Sequence, residues 1–131
     1  YMFQKGFTVT GTKGAVEELQ KLAEGAKALQ ARLIKGSGAF HSPLMNSAKT
    51  TLGAALLEML PRMKRPRCKV FMNTTAKAVD YDTDPYRIGE ILSQQMVSPV
   101  FWKDCMEAMI EDGVREFYEC GPMGQLRAMM K

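Results

Sequence analysis

The chain has 131 residues, of which 46% are hydrophobic and 24% charged, and its net charge is +4. This length suits one ordinary hydrophobic core and is too short for two well-formed domains. No apolar run reaches the length of a membrane span, and no signal peptide is visible. The mild positive charge is compatible with anionic partners without requiring them. Because the first residue is Tyr1, we expect the chain to be a piece of a longer protein.

The chain contains three cysteines, Cys68, Cys105 and Cys120, at wide spacings and without a Cys-x-x-Cys motif. An odd number at such spacings argues against a disulfide framework and favours a reducing, intracellular setting. A zinc site is not expected, because the sequence has one histidine and no Cys/His cluster.

The first third of the chain predicts a β-α-β unit. Residues 7–12 alternate apolar and polar side chains, which indicates a strand. Residues 13–29 repeat apolar side chains every three to four positions, as an amphipathic helix does. Residues 31–35 form a second predicted strand. The unit leads into a Gly-Ser-Gly turn and His41, the only histidine.

A strong helix-start signal follows His41 directly. Ser42 is a favourable N-cap residue, and Pro43 is suited to the first helical position. The apolar stripe that follows predicts a helix over residues 43–60, and prolines mark its end. A strand is predicted over residues 68–72.

The second half alternates in the same way. The predicted elements are a polar loop over 76–83, a helix over 84–96, a helix over 98–113, a strand over 114–119 and a helix over 123–130. Strands that alternate with helices predict an α/β fold with mainly parallel pairing.

Three features are candidate sites on the residues alone. His41 stands at a strand-to-helix corner, where an imidazole can act as a general base, although it could equally be satisfied locally at a helix start. Cys120 ends a strand before a Gly-Pro turn and could be a nucleophile paired with His41, but a small buried apolar role is the simpler interpretation. Cys68 and Cys105 lie on apolar faces and are predicted to be core residues.

The third candidate is a basic cluster, which we define as Arg62, Lys64, Arg65, Arg67 and Lys69. Such a cluster could bind phosphates, an acidic protein surface or nucleic acid, or could be a solvated turn. Nucleic acid is the weakest of these options, because no aromatic residues are interleaved with the basic ones.

Four motifs in order resemble the malonyl-CoA:acyl carrier protein transacylases and the related acyltransferase domains of fatty acid and polyketide synthases. They are GAFHSPLM at residues 38–45, VFMN at 70–73, QMVSPVFW at 95–102 and FYECGP at 117–122. The opening at residues 7–19 also resembles the family. The resemblance covers nearly the whole chain.

The resemblance implies a fold and a division of the chain. The family has an α/β-hydrolase-like core with a small ferredoxin-like insert. Residues 1–36 would form about half of that insert, and residues 37–131 would form the C-terminal part of the large core. The rest of the same enzyme would precede this chain.

The resemblance also implies an activity. A family serine takes the malonyl group from coenzyme A and passes it to the phosphopantetheine thiol of acyl carrier protein. His41 matches the base that activates that serine, the main-chain carbonyl of Gln95 matches the group that orients the histidine, and Phe40 matches a position that favours malonyl. No bound cofactor, metal, nucleic acid or membrane is implied. The expected location is the cytoplasm, or a plastid or mitochondrion in a eukaryote.

The sequence departs from the family in one important respect, because it contains no Gly-x-Ser-x-Gly motif. The chain would therefore supply the base without the nucleophile and should be inactive alone. Ser98 also stands where the family more often has Asn. Three alternatives remain: a fragment of a polyketide synthase acyltransferase domain, a non-catalytic module that binds a carrier protein through the basic cluster, and an enzyme that uses a Cys120–His41 pair.

Overall fold

The computed structural model of the chain describes residues 6–36 and 38–130. That part of the chain contains five helices and one small two-stranded sheet. The helices are α1 (Lys13–Gly25), α2 (Asn46–Met59), α3 (Pro85–Gln95), α4 (Trp102–Glu111) and α5 (Gln125–Met129), and the strands are β1 (Val70–Met72) and β2 (Lys77–Val79). Two 3-10 turns, Pro43–Met45 and Leu60–Arg62, flank α2. Helices with a small sheet are consistent with the predicted α/β class.

The helix starts follow the capping signals in the sequence. The Thr12 hydroxyl accepts from the N–H of Ala15 at the start of α1, and the Asp84 carboxylate accepts from the N–H of Tyr86 at 2.7 Å at the start of α3. The start predicted at Ser42 is displaced. The chain first makes a 3-10 turn, and the α-helix begins at Asn46.

Helices α1, α4 and α5 are shorter than predicted, and α5 spans Gln125–Met129 instead of residues 123–130. The apolar pattern extended α1 to residue 29, but Lys27 adopts a left-handed φ of 59° and ends the helix. The helix predicted from residue 98 begins at Trp102. The predicted end of that helix is confirmed, because Gly113 follows the cap with a φ of 97°, which glycine adopts without strain.

The sheet differs from the expectation of parallel pairing. Strand β1 lies inside the predicted strand, but it pairs antiparallel with β2, with Phe71 opposite Ala78. Strand β2 was predicted to be loop. The connection is tight enough for a hairpin because Ala76 takes a φ of 51° and its N–H donates to the Met72 carbonyl at 2.9 Å.

Three other predicted strands are not formed in the described part of the chain. Residues 7–12, 31–35 and 114–119 have no regular secondary structure. For the last two, no neighbouring strand lies beside them within the described residues. A side-chain pattern indicates which faces a strand would have, but a ladder also requires a partner strand to hydrogen-bond with.

The hydrophobic core is small. Met72, Val79 and Ile91 are buried together, and Ile88 and Leu92 of α3 pack against them. The core therefore joins the hairpin to α3. Helices α2 and α3 also pack on each other. A Cβ added at Gly53 of α2 would lie 3.4 Å from the Ser93 hydroxyl of α3, which shows how close the two backbones are.

The chain exposes a large surface for its size. Its accessible surface is 10257 Å², whereas a folded monomer of 14.6 kDa exposes about 6,900 Å² by the usual scaling. Several large apolar side chains lie in that surface, including Leu22, Ile34 and Leu57. No helix among the described residues is long and apolar enough to cross a membrane.

Candidate functional site

His41 stands at the corner that precedes α2, and it is exposed. Its backbone has a φ of 62°, in the left-handed region that few side-chain-bearing residues occupy. The N–H of His41 donates to the carbonyl oxygen of Met96 at 3.0 Å. The left-handed turn therefore directs this N–H at the C-terminal end of α3.

The imidazole makes a second contact with the same helix end. Nδ1 of His41 lies 3.0 Å from the carbonyl oxygen of Gln95. A carbonyl oxygen only accepts, so this hydrogen bond requires the proton on Nδ1. The neutral ring then keeps its lone pair on Nε2, which has no hydrogen-bond partner among the described residues. An imidazole held in this tautomer can accept a proton at Nε2.

The carbonyls that hold His41 are available because α3 ends there. The last four carbonyls of a helix have no partner within the helix. Gln95 is the last residue of α3 and Met96 is its cap. His41 thus satisfies two such carbonyls with its N–H and its ring, and the helix end fixes the ring.

Ser42 and Phe40 shape the two sides of the corner. Ser42 is buried, and its hydroxyl donates to the Ala39 carbonyl at 2.7 Å instead of capping the following helix. Phe40 is 44% exposed. Its ring lies over Gly38, where an added Cβ would come within 3.3 Å of it. Phe40 precedes His41 in the chain, and its exposed ring is accessible to a ligand.

The basic cluster is exposed along its length. Lys69 pairs with Asp112 at 2.5 Å, and the hydrogen bond that its ammonium donates to the Asp112 carboxylate raises the pKa of Lys69. Arg65 lies 3.7 Å from Asp82. No ion pair involving Arg62, Lys64 or Arg67 is present among the described residues. These three guanidinium and ammonium groups are therefore open to an anionic partner.

The cysteines separate by exposure. Cys105 is 2% exposed, as predicted for a core residue, and burial raises the pKa of its thiol. Cys68 and Cys120 are exposed, so the core prediction for both was wrong. No hydrogen bond joins Cys120 to His41 in the described part of the chain. The described residues also contain no group of three His, Cys, Asp or Glu side chains that could hold a metal ion.

A shallow cavity of about 300 Å³ lies beside the end of α3. Its lining residues come from the hairpin turn, from α3 and from the segment after it: Thr74, Thr75, Arg87, Glu90, Ile91, Gln94 and Ser98. The Thr74 hydroxyl is buried and has no hydrogen-bond partner in the described residues. The cavity therefore extends along α3 as far as Gln94, the residue before Gln95.

Two polar residues near the site, Lys49 and Gln94, were not predicted from the sequence. Lys49 of α2 donates to the side-chain carbonyl of Gln94 at 2.6 Å, and the Gln94 amide donates to the Ser98 hydroxyl at 3.0 Å. Gln94 and Ser98 are four apart in sequence, but Ser98 lies beyond the end of α3, so helical spacing gives no signal for their bond. No local pattern connects Lys49 to Gln94, which lie 45 positions apart.

Comparison with known proteins identifies the family. The human protein named malonyl-CoA-acyl carrier protein transacylase, mitochondrial, is 33% identical over 100% of this chain. The Haemophilus influenzae malonyl CoA-acyl carrier protein transacylase is 32% identical over 94% of it. The chain belongs to the malonyl-CoA-acyl carrier protein transacylase family. No family model matches the chain.

Solved structures agree with this transacylase assignment. The acyl-carrier-protein S-malonyltransferase of Burkholderia pseudomallei aligns with a TM-score of 0.83 and 30% identity over 91% of this chain. That of Vibrio cholerae aligns with a TM-score of 0.78 and 33% identity. The chain spans about a third of the length of its transacylase relatives, 33% of the human protein and 37% of the Burkholderia structure. It corresponds to their C-terminal part.

Proposed function

We propose that this chain is the part of a malonyl-CoA:acyl carrier protein transacylase that supplies the general base. The whole protein would transfer a malonyl group from malonyl-CoA to the phosphopantetheine thiol of acyl carrier protein in fatty acid biosynthesis. The observation that carries the proposal is the 3.0 Å contact between Nδ1 of His41 and the Gln95 carbonyl, because it leaves Nε2 as the basic atom. Membership of the transacylase family supports the same assignment.

The proposed reaction has two steps. In the first, Nε2 of His41 takes the proton of a serine hydroxyl supplied by another part of the protein. The serine oxygen attacks the malonyl thioester carbonyl, coenzyme A leaves as a thiolate, and His41 returns the proton to that sulfur. In the second, His41 takes the proton of the carrier thiol, whose sulfur attacks the malonyl-serine ester, and the proton returns to the serine oxygen. No metal or bound cofactor takes part.

The Gln95 carbonyl would take the role of the aspartate carboxylate in a Ser-His-Asp triad. It accepts from Nδ1–H, so it selects the tautomer and sets the ring plane. Phe40 would lie against the acyl group and favour malonyl over bulkier groups. Its 44% exposure supports this role, because the ring is open to a substrate.

The basic cluster is the proposed contact for acidic partners. Arg62, Lys64, Arg65 and Arg67 are exposed and carry positive charge that could meet the carrier protein or the phosphates of coenzyme A. We further propose that residues 1–36 belong to a small ferredoxin-like subdomain and residues 37–131 to the large core. An intracellular location, cytoplasmic or mitochondrial, is part of the proposal, and the human relative is named as mitochondrial.

The test is malonyl transfer by the whole protein and by this chain alone. We expect His41→Ala in the whole protein to reduce turnover by several orders of magnitude, as the loss of a catalytic base does. Glu58→Gln is a matched control, because Glu58 is exposed on α2 and away from the corner. We expect the 131-residue chain alone to transfer no malonyl group. Transfer by this chain alone, or full activity of His41→Ala, would refute the proposal.

A second candidate is a non-catalytic module that binds a carrier protein. The open charges of Arg62, Lys64 and Arg67 favour it, since none of them has an ion-pair partner in the described residues. Titration of acyl carrier protein at increasing salt separates the two functions. Salt-sensitive binding by a whole protein in which mass spectrometry detects no acyl-enzyme would favour the module. An acyl-enzyme would favour the transacylase.

A further inference from the structure

We propose that Lys49 and Gln94 are positioning residues for His41, through a polar link between α2 and α3. The inference depends on the proposed role of His41 as a base. We call the three side chains Lys49, Gln94 and Ser98 the α2–α3 link. None of them touches the imidazole. They act on the end of α3, whose carbonyls hold it.

The link uses both ends of one amide side chain. The Lys49 ammonium donates to Oε1 of Gln94 at 2.6 Å, and Nε2 of Gln94 donates to the Ser98 hydroxyl at 3.0 Å. Gln94 lies in the last turn of α3, and Ser98 lies in the segment that leaves it. The link therefore attaches the C-terminal end of α3 to α2 on one side and to its own exit segment on the other.

The connections form a closed ring. From His41 the chain runs through the 3-10 turn into α2 and reaches Lys49. Lys49 bonds to Gln94, and the next two residues, Gln95 and Met96, return to His41 through hydrogen bonds of 3.0 Å each. If α2 moved along α3, both bonds to His41 would have to stretch. The Lys49–Gln94 bond opposes that movement.

The packing of the two helices supports the same restraint. Gly53 lies one turn after Lys49 on α2, and its missing side chain lets α2 approach Ser93, the residue before Gln94. The close backbone contact and the polar link thus meet α3 at adjacent residues. A positive charge is also favourable there, because the C-terminal end of a helix carries partial negative charge.

The proposed link affects catalysis through the orientation of the His41 imidazole. A general base must be held within roughly 10–20° of its productive direction. The His41 side chain is exposed, so surrounding side chains do not confine the ring. Its direction is set by the Gln95 carbonyl, whose position depends on the end of α3. Loss of the α2–α3 link should leave the imidazole able to accept a proton. The ring should, however, spend less time in the orientation that the Gln95 carbonyl fixes.

The test uses the single histidine of the chain as its own probe. In the ¹⁵N-labelled 131-residue chain, long-range correlation spectra of the ring report which nitrogen carries the proton. We expect the wild-type ring to be predominantly Nδ1–H. Lys49→Met, which keeps the length of the side chain and removes its donors, should move the two nitrogen frequencies towards each other. Lys49→Arg restores a donor and should restore the wild-type spectrum.

Lys103→Met is the matched control, because Lys103 pairs with Glu107 on α4 and has no connection to the link. Its spectrum should match wild type. Ser98→Ala provides a second variant that removes only the far hydroxyl, and it should give a smaller change in the same direction. If Lys49→Met disrupts folding, the ring spectrum of Ser98→Ala is the test of the proposal. Wild-type ring frequencies in a folded Lys49→Met or, failing that, in Ser98→Ala would overturn the proposal.

A kinetic measurement on the whole protein separates this inference from the proposed function. We expect Lys49→Met to lower kcat about tenfold with little change in KM, since orientation and not substrate binding is affected. If His41→Ala retains transfer, the proposed function fails, whatever the ring spectra show. If His41→Ala abolishes transfer and Lys49→Met leaves both kcat and the ring frequencies unchanged, only the positioning role fails.

Discussion

The backbone N–H of Phe101 donates to the carbonyl oxygen of Asn73 at 2.8 Å. This bond attaches the residue before α4 to the end of β1. One turn later, Cys105 is buried behind the strand, with Sγ 3.6 Å from the Met72 carbonyl. Phe101 itself has φ −94° and ψ 60°, outside the helical region, so α4 begins at Trp102 and not at the proline signal.

This arrangement predicts the order in which the thiols react. Cys68 and Cys120 are exposed and should be alkylated quickly in the native protein. Cys105 should react only on unfolding, because burial raises the pKa of its thiol and reduces the reactive thiolate. Mass spectrometry after timed alkylation measures this order. Rapid native labelling of Cys105 would contradict its burial, and labelling in denaturant serves as the control for all three sites.

The small core makes the chain sensitive to a single truncation. Ile91 is 8% exposed and packs with Met72 and Val79. Ile91→Ala should lower the free energy of unfolding by about 2–4 kcal/mol, through lost burial and the cavity left behind. Urea unfolding measures the change. Leu57→Ala is the control, because Leu57 is 58% exposed, and it should change stability by less than about 0.5 kcal/mol.

The left-handed backbone of His41 predicts an unusual order of substitutions. His41→Gly and His41→Ala remove the same ring contact, but only glycine adopts a φ of 62° without strain. We expect the glycine variant to be more stable than the alanine variant by about 1 kcal/mol in urea unfolding. At Glu58, inside α2, the order should reverse, because glycine weakens a regular helix. Equal stabilities at position 41 would argue against the left-handed conformation.

The start of α5 should respond to acid. The Glu119 carboxylate accepts from the N–H groups of Arg127 and Leu126 at 3.0 Å each, which lowers its pKa below the ordinary value of 4.5. A carboxyl with a lowered folded-state pKa stabilises the fold above the unfolded pKa and loses that effect as pH falls through the folded one. The α5 contacts should therefore persist at neutral pH and weaken only as the pH falls below 4.5, the ordinary carboxyl value.

Amide exchange at Leu126 and Arg127 measures this effect, with α3 amides as an internal reference. In Glu119→Gln the difference between α5 and α3 should no longer vary with pH across the acid range, because the group that titrates is gone. An unchanged pH dependence in that variant would show that another group controls α5.

The sequence predicted local features better than distant ones. The helix starts predicted at residues 13 and 84 lie at or next to the observed starts of α1 and α3, because each start depends on a capping side chain that acts within three residues. The end of α1 at Gly25 was missed, because the apolar pattern continues to Leu29 and the residue that takes the left-handed conformation after the cap is Lys27, which rarely does so. The strands predicted over residues 31–35 and 114–119 failed because a pattern of side chains does not show whether a partner strand exists.

In the candidate site, too, the local features were predicted from the sequence and the contacts between distant residues were not. His41 was prominent on its own, but its contact with the Gln95 carbonyl was expected only from the family resemblance. The roles of both residues remain proposals. The link through Lys49 joins residues 45 positions apart and could not be read from any periodicity. Distant pairs of this kind depend on how α2 and α3 meet.

The large exposed surface of 10257 Å² has a thermal consequence. Folding removes less apolar area from water than in an ordinary domain of this size, so the heat-capacity increase on unfolding should fall below the usual value of about 12–15 cal/mol/K per residue. The unfolding enthalpy, which also grows with the structure formed, should be small. In a calorimeter this chain should therefore melt over a broad range of temperature instead of giving a sharp peak.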